Sequence, residues 1–219
     1  MRRPAIVAAL LASCLRVYAE SPFVDAASVV PGLTVEMRYA GAHNFVGRRI
    51  AGYEAPRCLL TPKAARALAA AQADLASRGY GLKVFDCYRP TRAVADFVAW
   101  ASDPADTRMK AAFYPAIDKR DLFRLGYIAE RSAHSRGSTV DLTLVRLGGN
   151  EVDMGTPFDW FGPESAPGWH KLAPAQSTAR GVLRAAMIRA GFQPYAQEWW
   201  HFTLRGEPHP ATAFDLPVR

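Results

Sequence analysis

The sequence lacks several features that define whole classes of protein. It has no apolar run long enough to cross a bilayer, no internal repeat and no low-complexity tract. Cysteine is scarce, with three in 219 residues, and no basic run is interleaved with aromatic residues. These absences exclude a multi-span membrane protein and a disordered or fibrous chain, and they argue against nucleic acid as a partner.

What remains is a chain that can build a core. Half of its residues are hydrophobic and 21% are charged, and its length fits one sizeable domain or at most two small ones. No long linker interrupts it, so one domain is the simplest interpretation. Helical and strand patterns are mixed without regular strand-helix-strand alternation. This mixture predicts an α+β fold, with a largely antiparallel central sheet flanked by helices.

The clearest element is a helix that begins at Thr61-Pro62 and ends at Gly79, because a capping hydroxyl, a proline in the first turn and a terminal glycine coincide. A second helix is predicted over Ala175 to Ala190. Predicted strands, identified by alternation and β-forming residues, cover Leu33 to Tyr39, Leu82 to Tyr88, Ser138 to Leu147, Glu151 to Met154 and Glu198 to Leu204.

The first nineteen residues have the pattern of a signal peptide. Arg2 and Arg3 precede an apolar stretch, Ala5 to Ala12, that is too short to span a bilayer. Val17-Tyr18-Ala19 offers a cleavage site, so we expect residues 20–219 to be exported, to the periplasm or outside the cell. In the alternative interpretation, Leu11-Ala12-Ser13-Cys14 resembles a lipobox, and Cys14 would carry a lipid anchor at the mature N-terminus.

Removal of this segment lowers the net charge from +7 to +4, since it contains Arg2, Arg3 and Arg16 and no acid. The remaining charge is too small to indicate a nucleic-acid partner. The cysteines that remain are Cys58 and Cys87, an even pair in an oxidising compartment. A disulfide is therefore expected, and two buried free thiols are the alternative.

Two segments contain the residues that point to chemistry. In the first, His134 lies in a polar turn, and Asp141 follows inside an otherwise apolar strand, where a carboxylate needs a partner. In the second, Glu198 and His201 lie three positions apart among aromatic residues. A regular strand would turn these two side chains to opposite faces, so a bend or bulge is required. Taken separately, each histidine could instead be an ordinary core or surface residue beside an unrelated acid.

Together the two segments supply His134, Asp141 and His201, two nitrogen donors and one oxygen donor. This is the ligand count of a catalytic zinc site with one open position, whereas structural zinc sites are usually completed by cysteine. Glu198 would then be free to act as a general base. One zinc ion per chain is therefore the expected cofactor.

These residues belong to a longer set of spaced motifs. The set comprises Tyr39 with Asn44-Phe45, Gly52-Tyr53-Glu54, Asp86-Cys87-Tyr88-Arg89-Pro90, Ser132 to Gly137 with Asp141 to Leu144, Met154-Gly155 with Phe158-Asp159, and Glu198-Trp199-Trp200-His201. It resembles the D-alanyl-D-alanine dipeptidases of the vancomycin-resistance type, zinc D,D-peptidases that share a fold with the hedgehog signalling domain. The resemblance runs from about Tyr39 to the C-terminus.

The resemblance implies roles for individual residues. His134, Asp141 and His201 become the zinc ligands, Glu198 the general base and acid, and Arg89 the cation that stabilises the oxyanion. Free dipeptides also need anchors at both ends. Tyr39 and Asp159 are the candidates for the ammonium group, and Ser132 is the candidate for the carboxylate. A surface ion pair is the alternative interpretation of Arg89. Cys87 and Ala133 depart from the Gly and Ser of resistance-type relatives, which leaves the fine specificity open.

The expected function is hydrolysis of D-alanyl-D-alanine to two D-alanines, in salvage of cell-wall dipeptide or in peptidoglycan turnover, with a small dipeptide as the only expected partner. The alternative within the same class is a zinc D,D-carboxypeptidase that trims terminal D-alanine from peptidoglycan stem peptides. The alternative from another class is a non-catalytic zinc-bearing binding module, which would need neither Glu198 nor Arg89.

Overall fold

The computed structural model describes residues 21–219. The predicted signal peptide and the candidate lipid anchor at Cys14 lie outside the described residues. Within residues 21–219, no helix has both the length and the apolar character needed to cross a membrane.

The described chain forms a mixed α+β domain. Its α-helices are α1 (Pro62–Ala76), α2 (Thr91–Ser102), α3 (Lys110–Phe113) and α4 (Pro174–Arg189). Its strands are β1 (Val24–Asp25), β2 (Thr34–Val35), β3 (Leu59–Leu60), β4 (Tyr80–Asp86), β5 (Thr139–Arg146), β6 (Phe192–Pro194) and β7 (His201–Leu204). Short 3₁₀ helices cover Ala26–Ser28, Arg38–Ala40, Lys119–Asp121, Ala133–Arg136 and Pro163–Ser165.

The central sheet has five strands in the order β2-β4-β5-β7-β6. Only the edge pair β2 and β4 is parallel, so the prediction of a largely antiparallel sheet is confirmed. Strands β1 and β3 form a separate antiparallel pair. Helices α1 and α4 pack on each other and on the sheet, α1 against β4 and α4 against β5 and β6. The apolar faces of these two helices cover hydrophobic side chains on one face of the sheet. Side chains of β5 and β7 that point to the other face are free to form a polar site.

Helix α1 begins at the capping residue and the proline that the sequence indicates. The Thr61 hydroxyl accepts a hydrogen bond from the Ala64 backbone N–H at 3.3 Å, and Pro62 occupies the first turn. On its buried face, the Gln72 side-chain oxygen accepts from the Leu82 N–H at 2.8 Å, which ties α1 to β4. Helix α2 instead brings Phe97 and Trp100 against Phe45, with ring centroids 4.8 and 5.0 Å apart. Phe97 also contacts the segment that follows β4, because the guanidinium carbon of Arg89 lies 5.1 Å from its ring centroid.

Several predicted strands are shorter than expected. The Leu33–Tyr39 segment pairs only at Thr34–Val35 and then winds into a 3₁₀ helix, because its neighbour β4 ends at Asp86 after an irregularity between Val84 and Asp86. The predicted strand Glu151–Met154 forms only a bridge between Glu151 and Val145. The last strand begins at His201 rather than at Glu198. In all three segments, the strand pairing does not continue beyond the observed strand or bridge.

A disulfide joins Cys58 to Cys87, with Cα atoms 5.2 Å apart and both residues fully buried. Cys58 directly precedes β3, and Cys87 directly follows β4. The bridge therefore fastens the small two-stranded pair to the end of the central sheet, beside the segment that contains Arg89.

The C-terminal segment also crosses this region. The Phe214 N–H donates to the Ser135 carbonyl at 2.9 Å, and the Phe214 carbonyl accepts from the Thr91 N–H at 3.0 Å. Further on, the Val218 N–H donates to the Gly52 carbonyl at 2.8 Å. The last residues of the chain thus link three segments that are distant in sequence.

Loss of the disulfide should weaken the fold without abolishing it. Closure of a loop of 29 residues by a bridge stabilises a protein by about 3.6 kcal/mol in the chain-entropy model. We expect Cys58→Ala/Cys87→Ala to lower the free energy of unfolding by about that amount, measured by urea denaturation without reductant. Reductant should destabilise the parent and leave the variant unchanged. Equal midpoints for the parent and the variant would contradict the assignment.

Candidate active site

His134 is presented by a short turn that the sequence encodes locally. The Ser132 hydroxyl accepts a hydrogen bond from the His134 N–H at 3.2 Å and so caps the 3₁₀ helix Ala133–Arg136. Gly137 ends that helix with φ +77°, and the Phe23 ring occupies the space that a Cβ there would need. Only glycine satisfies both conditions, and it directs the chain into β5. The imidazole of His134 is 1% exposed.

Asp141 and His201 meet because they are directly opposite residues in the antiparallel pair β5 and β7. The His201 Nδ1 lies 3.0 Å from the Asp141 Oδ1, and the His134 Nε2 lies 3.2 Å from the Asp141 Oδ2. The two imidazole nitrogens are 3.3 Å apart. Three candidate donor atoms from the turn and the two strands therefore converge within 4.8 Å of one another.

The donor and acceptor character of these atoms indicates that the cluster binds a cation. The His134 Nδ1 lies 2.7 Å from the Cys87 carbonyl oxygen, and a carbonyl can only accept, so Nδ1 donates there and Nε2 is the nitrogen that faces the site. The Asp141 Oδ1 is buried and accepts no hydrogen bond among residues 21–219. Lone pairs and a carboxylate that face each other out of water repel unless a cation lies between them.

The residues thus fit a divalent metal ion. Two imidazole nitrogens and one carboxylate oxygen, without cysteine, match the donor set of catalytic zinc centres. The hydrogen bond from His134 to the Cys87 carbonyl is the kind of outer contact that fixes the tautomer and orientation of a metal-binding histidine.

The electrostatics of the cluster agree with this interpretation. Burial raises the pKa of Asp141, but the neighbouring His134 and His201 more than offset it, and the pKa lies well below its ordinary value. For His201, burial lowers the pKa, yet the nearby Asp141 and Glu198 carboxylates raise it above its ordinary value. The site therefore attracts positive charge at the atoms that would bind the metal.

Glu198 lies beside this cluster but outside it. It precedes the turn at Trp199 and Trp200, and its Oε2 lies 3.6 Å from the His201 Nδ1. The Trp199 N–H donates to the Ser165 carbonyl at 2.9 Å, which fixes the turn. Burial raises the pKa of Glu198 to about 7. A carboxyl group with a pKa near neutrality can both accept and release a proton at physiological pH.

Arg89 is an ion-paired residue, but its pair is not at the surface. Its Nε donates to the Asp86 Oδ2 at 2.9 Å, and its Nη2 lies 2.8 Å from the same oxygen. The guanidinium also lies over the rings of Tyr39 and Phe97, each 5.1 Å from its carbon. Burial lowers the pKa of Arg89, but Asp86 raises it well above its ordinary value, so the charge is retained.

Asp86 was not singled out as a site residue from the sequence, yet it organises one side of the site. It is fully buried, and its other oxygen accepts a hydrogen bond from the Tyr53 hydroxyl at 2.5 Å. A buried carboxylate costs several kcal/mol unless it is paired, and Asp86 meets that cost with Arg89 and Tyr53. The detectable signal was an acid at the end of an apolar strand; its partners could not be assigned without the fold.

Tyr39 and Asp159 form a second buried pair. The Tyr39 hydroxyl lies 2.9 and 3.1 Å from the two oxygens of Asp159. Asp159 has φ 62°, a left-handed conformation that side-chain-bearing residues rarely adopt. Burial and the charge of Asp141 raise the pKa of Asp159 well above its ordinary value. In residues 21–219 no cationic side chain forms a salt bridge with Asp159. Its carboxyl group is therefore available to a cationic ligand.

One cavity of about 680 Å³ contains this whole arrangement. Its lining includes all eight candidates for catalysis, metal binding and substrate binding: Tyr39, Arg89, Ser132, His134, Asp141, Asp159, Glu198 and His201. Cys58 and Cys87 lie outside the lining and form the disulfide. The Ser132 hydroxyl oxygen accepts hydrogen bonds from the His134 N–H at 3.2 Å and from the Arg89 Nη1 at 3.5 Å, which leaves only its proton for a ligand.

A metal-binding cluster, a partly buried carboxyl group beside it and a cationic side chain together define a metal-dependent hydrolase site. Comparison with known proteins identifies the family. The sequence profile of the Peptidase M15 family, described as D-ala-D-ala dipeptidase, matches residues 19–219. The chain belongs to this family and is a metallopeptidase.

Individual relatives are similar over nearly their whole length. The chain is 43% identical to a D-alanyl-D-alanine dipeptidase of Streptomyces coelicolor, over 90% of this chain and 96% of that protein. It is 40% identical to one of Enterococcus faecium, over 90% and 97%. A third, of Escherichia coli, is 35% identical over 83% of each chain.

Removal of one donor should abolish tight metal binding. We expect His134→Ala to lose most of its bound zinc after dialysis, measured by elemental analysis of the purified protein, since only two donors remain. His170→Ala, which changes an exposed histidine of a loop outside the cavity, should retain the parental stoichiometry. If both variants bind as much zinc as the parent, the proposed ligand set is wrong.

Proposed function

We propose that this metallopeptidase hydrolyses D-alanyl-D-alanine to two D-alanines, with zinc held by His134, Asp141 and His201. The observation that carries the proposal is the content of the cavity. It combines the three-donor cluster and Glu198 with a buried carboxyl group, Asp159, that has no cationic partner among the described residues. A free dipeptide carries the ammonium group that such a carboxyl group would bind. The names of the relatives point to the same substrate.

The chain's own residues supply most of the chemistry. Zinc, when bound, would add Lewis acidity toward the scissile carbonyl and the attacking water. Glu198 accepts the proton from the attacking water and passes it to the departing amine nitrogen, which suits a pKa of about 7. Arg89, held by Asp86, stabilises the negative charge that develops on the carbonyl oxygen. Tyr39 and Asp159 hold the substrate ammonium and so position the bond for attack.

The walls around Asp159 favour a dipeptide over a longer acyl chain. Phe45, Phe97 and Phe161 line this end of the cavity, and each is no more than 4% exposed. A D,D-carboxypeptidase would need an open path here for the stem peptide. The aromatic wall therefore favours the dipeptidase, and the carboxypeptidase is the second candidate.

The proposed setting is outside the cytoplasm, in salvage of wall-derived dipeptide or in peptidoglycan turnover. The signal-peptide pattern of residues 1–19 supports export, with a lipid anchor at Cys14 as the alternative form of attachment. A disulfide between Cys58 and Cys87 is also typical of proteins from oxidising compartments. The motifs that resemble the zinc D,D-peptidases further support a hedgehog-like arrangement of the sheet.

The role of Glu198 is tested by a substitution that preserves its size. We expect Glu198→Gln to reduce kcat for D-alanyl-D-alanine at least 100-fold, because the amide cannot accept the proton of water. Zinc content should match the parent, since Glu198 is not among the three donors. A variant that binds zinc and retains parental turnover would exclude Glu198 as the base and favour the non-catalytic binding module.

The ammonium anchor is tested with a blocked substrate. The parent should release D-alanine from D-alanyl-D-alanine and not from its N-acetylated form, because acetylation removes the charge that pairs with Asp159. Asp159→Asn should lower kcat/KM for the free dipeptide by about 100-fold, the loss of one buried charge-assisted pair. Comparable release from both substrates by the parent would replace the dipeptidase with the carboxypeptidase.

A further inference from the structure

The cavity is larger than the dipeptide that the proposed function assigns to it. A cavity of about 150 Å³ holds benzene, and D-alanyl-D-alanine, with nearly twice as many heavy atoms, needs on the order of 300 Å³ by the same proportion. The cavity measures about 680 Å³. Roughly half of it therefore remains free when D-alanyl-D-alanine is bound.

The free space extends from the metal cluster along β6 and β7. His201 and Thr203 are alternate residues of β7, so they share a face of the sheet, and Arg205, in the turn that follows β7, lines the same cavity. Gln193 on β6 pairs with Thr203 and lines the same cavity. Beyond Thr203, the Arg205 N–H donates to the Gly191 carbonyl at 3.0 Å, which fixes the start of the turn that follows β7. The result is a polar shelf that starts at a metal-site residue and ends at an arginine.

The charges of this outer region are positive. Arg205 and Arg131 both line the cavity and are exposed, and neither has an ionic partner in the described part of the chain. Arg131 comes from a different segment, directly before Ser132. A third arginine, Arg136, is neutralised by Glu207 at 2.8 Å. The remaining acids of the lining, Asp141, Asp159 and Glu198, belong to the metal cluster and the ammonium end.

We propose that Arg131, Thr203, Arg205 and Gln193 form an outer subsite for an anionic side chain on the leaving residue of the dipeptide. The inference rests on the proposed function, which places the ammonium group at Asp159 and therefore directs the second residue toward the shelf. The Cα of Arg205 lies about 13 Å along the strand from that of His201. That distance suits a carboxylate at the end of a side chain better than the α-carboxylate next to the scissile bond. The subsite predicts a preference for D-alanyl-D-glutamate over its neutral isostere D-alanyl-D-glutamine.

The test measures binding separately from turnover. Dissociation constants of the two dipeptides are measured by calorimetry on zinc-loaded Glu198→Gln protein at low ionic strength. We expect D-alanyl-D-glutamate to bind about tenfold more tightly than D-alanyl-D-glutamine, as two partly exposed ion pairs would give. Added salt should reduce this ratio.

Two double variants in the same background identify the residues. R131Q/R205Q should bring the ratio of dissociation constants close to one. R66Q/R184Q removes the same charge from exposed helix positions outside the cavity and should leave the ratio unchanged. A ratio near one before these substitutions, or a preference that survives R131Q/R205Q, overturns the subsite. Failure of the parent to hydrolyse D-alanyl-D-alanine would instead overturn the proposed function, whatever the binding ratio.

Discussion

The structure around the cavity depends on one electrostatic constraint, the confinement of Asp141 between two imidazoles in a water-poor site. The carboxylate and both ring nitrogens converge within 4.8 Å, and this arrangement is stable only with positive charge between them. The surrounding elements hold the groups in place. The β5 and β7 register sets Asp141 opposite His201, while Gly137 turns His134 toward them. The Cys87 carbonyl fixes which nitrogen of His134 faces the site.

The same constraint explains the second layer of buried charge. Arg89 lies 3.7 Å from the Asp141 Oδ2, and its charge is balanced by Asp86. Tyr53 then satisfies the remaining oxygen of Asp86. Buried charge thus alternates in sign outward from the metal cluster, and each group compensates the desolvation cost of its neighbour. Such a network keeps the guanidinium positioned without a ligand, so little reorganisation is needed when negative charge develops beside it.

Sequence reasoning succeeded where the information is local and failed where it depends on pairing. Thr61 and Pro62 specify the start of α1 by their own chemistry, and the residue types around His134 and Asp141 indicated a metal site before the fold was known. The last strand was predicted correctly over His201–Leu204, but its expected start at Glu198 was wrong, because a hydrogen bond from Trp199 to Ser165 holds the preceding segment in a turn. This turn is how Glu198 and His201 reach one cavity. Asp86 was missed for the same reason, since Tyr53 and His134 approach it from distant segments.

The contacts of the C-terminal segment bear on how firmly the metal-binding turn is held. Phe214 bonds to both the His134 turn and the start of α2, and Val218 bonds to the Gly52 loop. This segment contains no metal-binding residue, yet it braces the turn from outside the cavity. Proteolytic release of the segment would therefore loosen the position of His134 while leaving every metal-binding side chain intact.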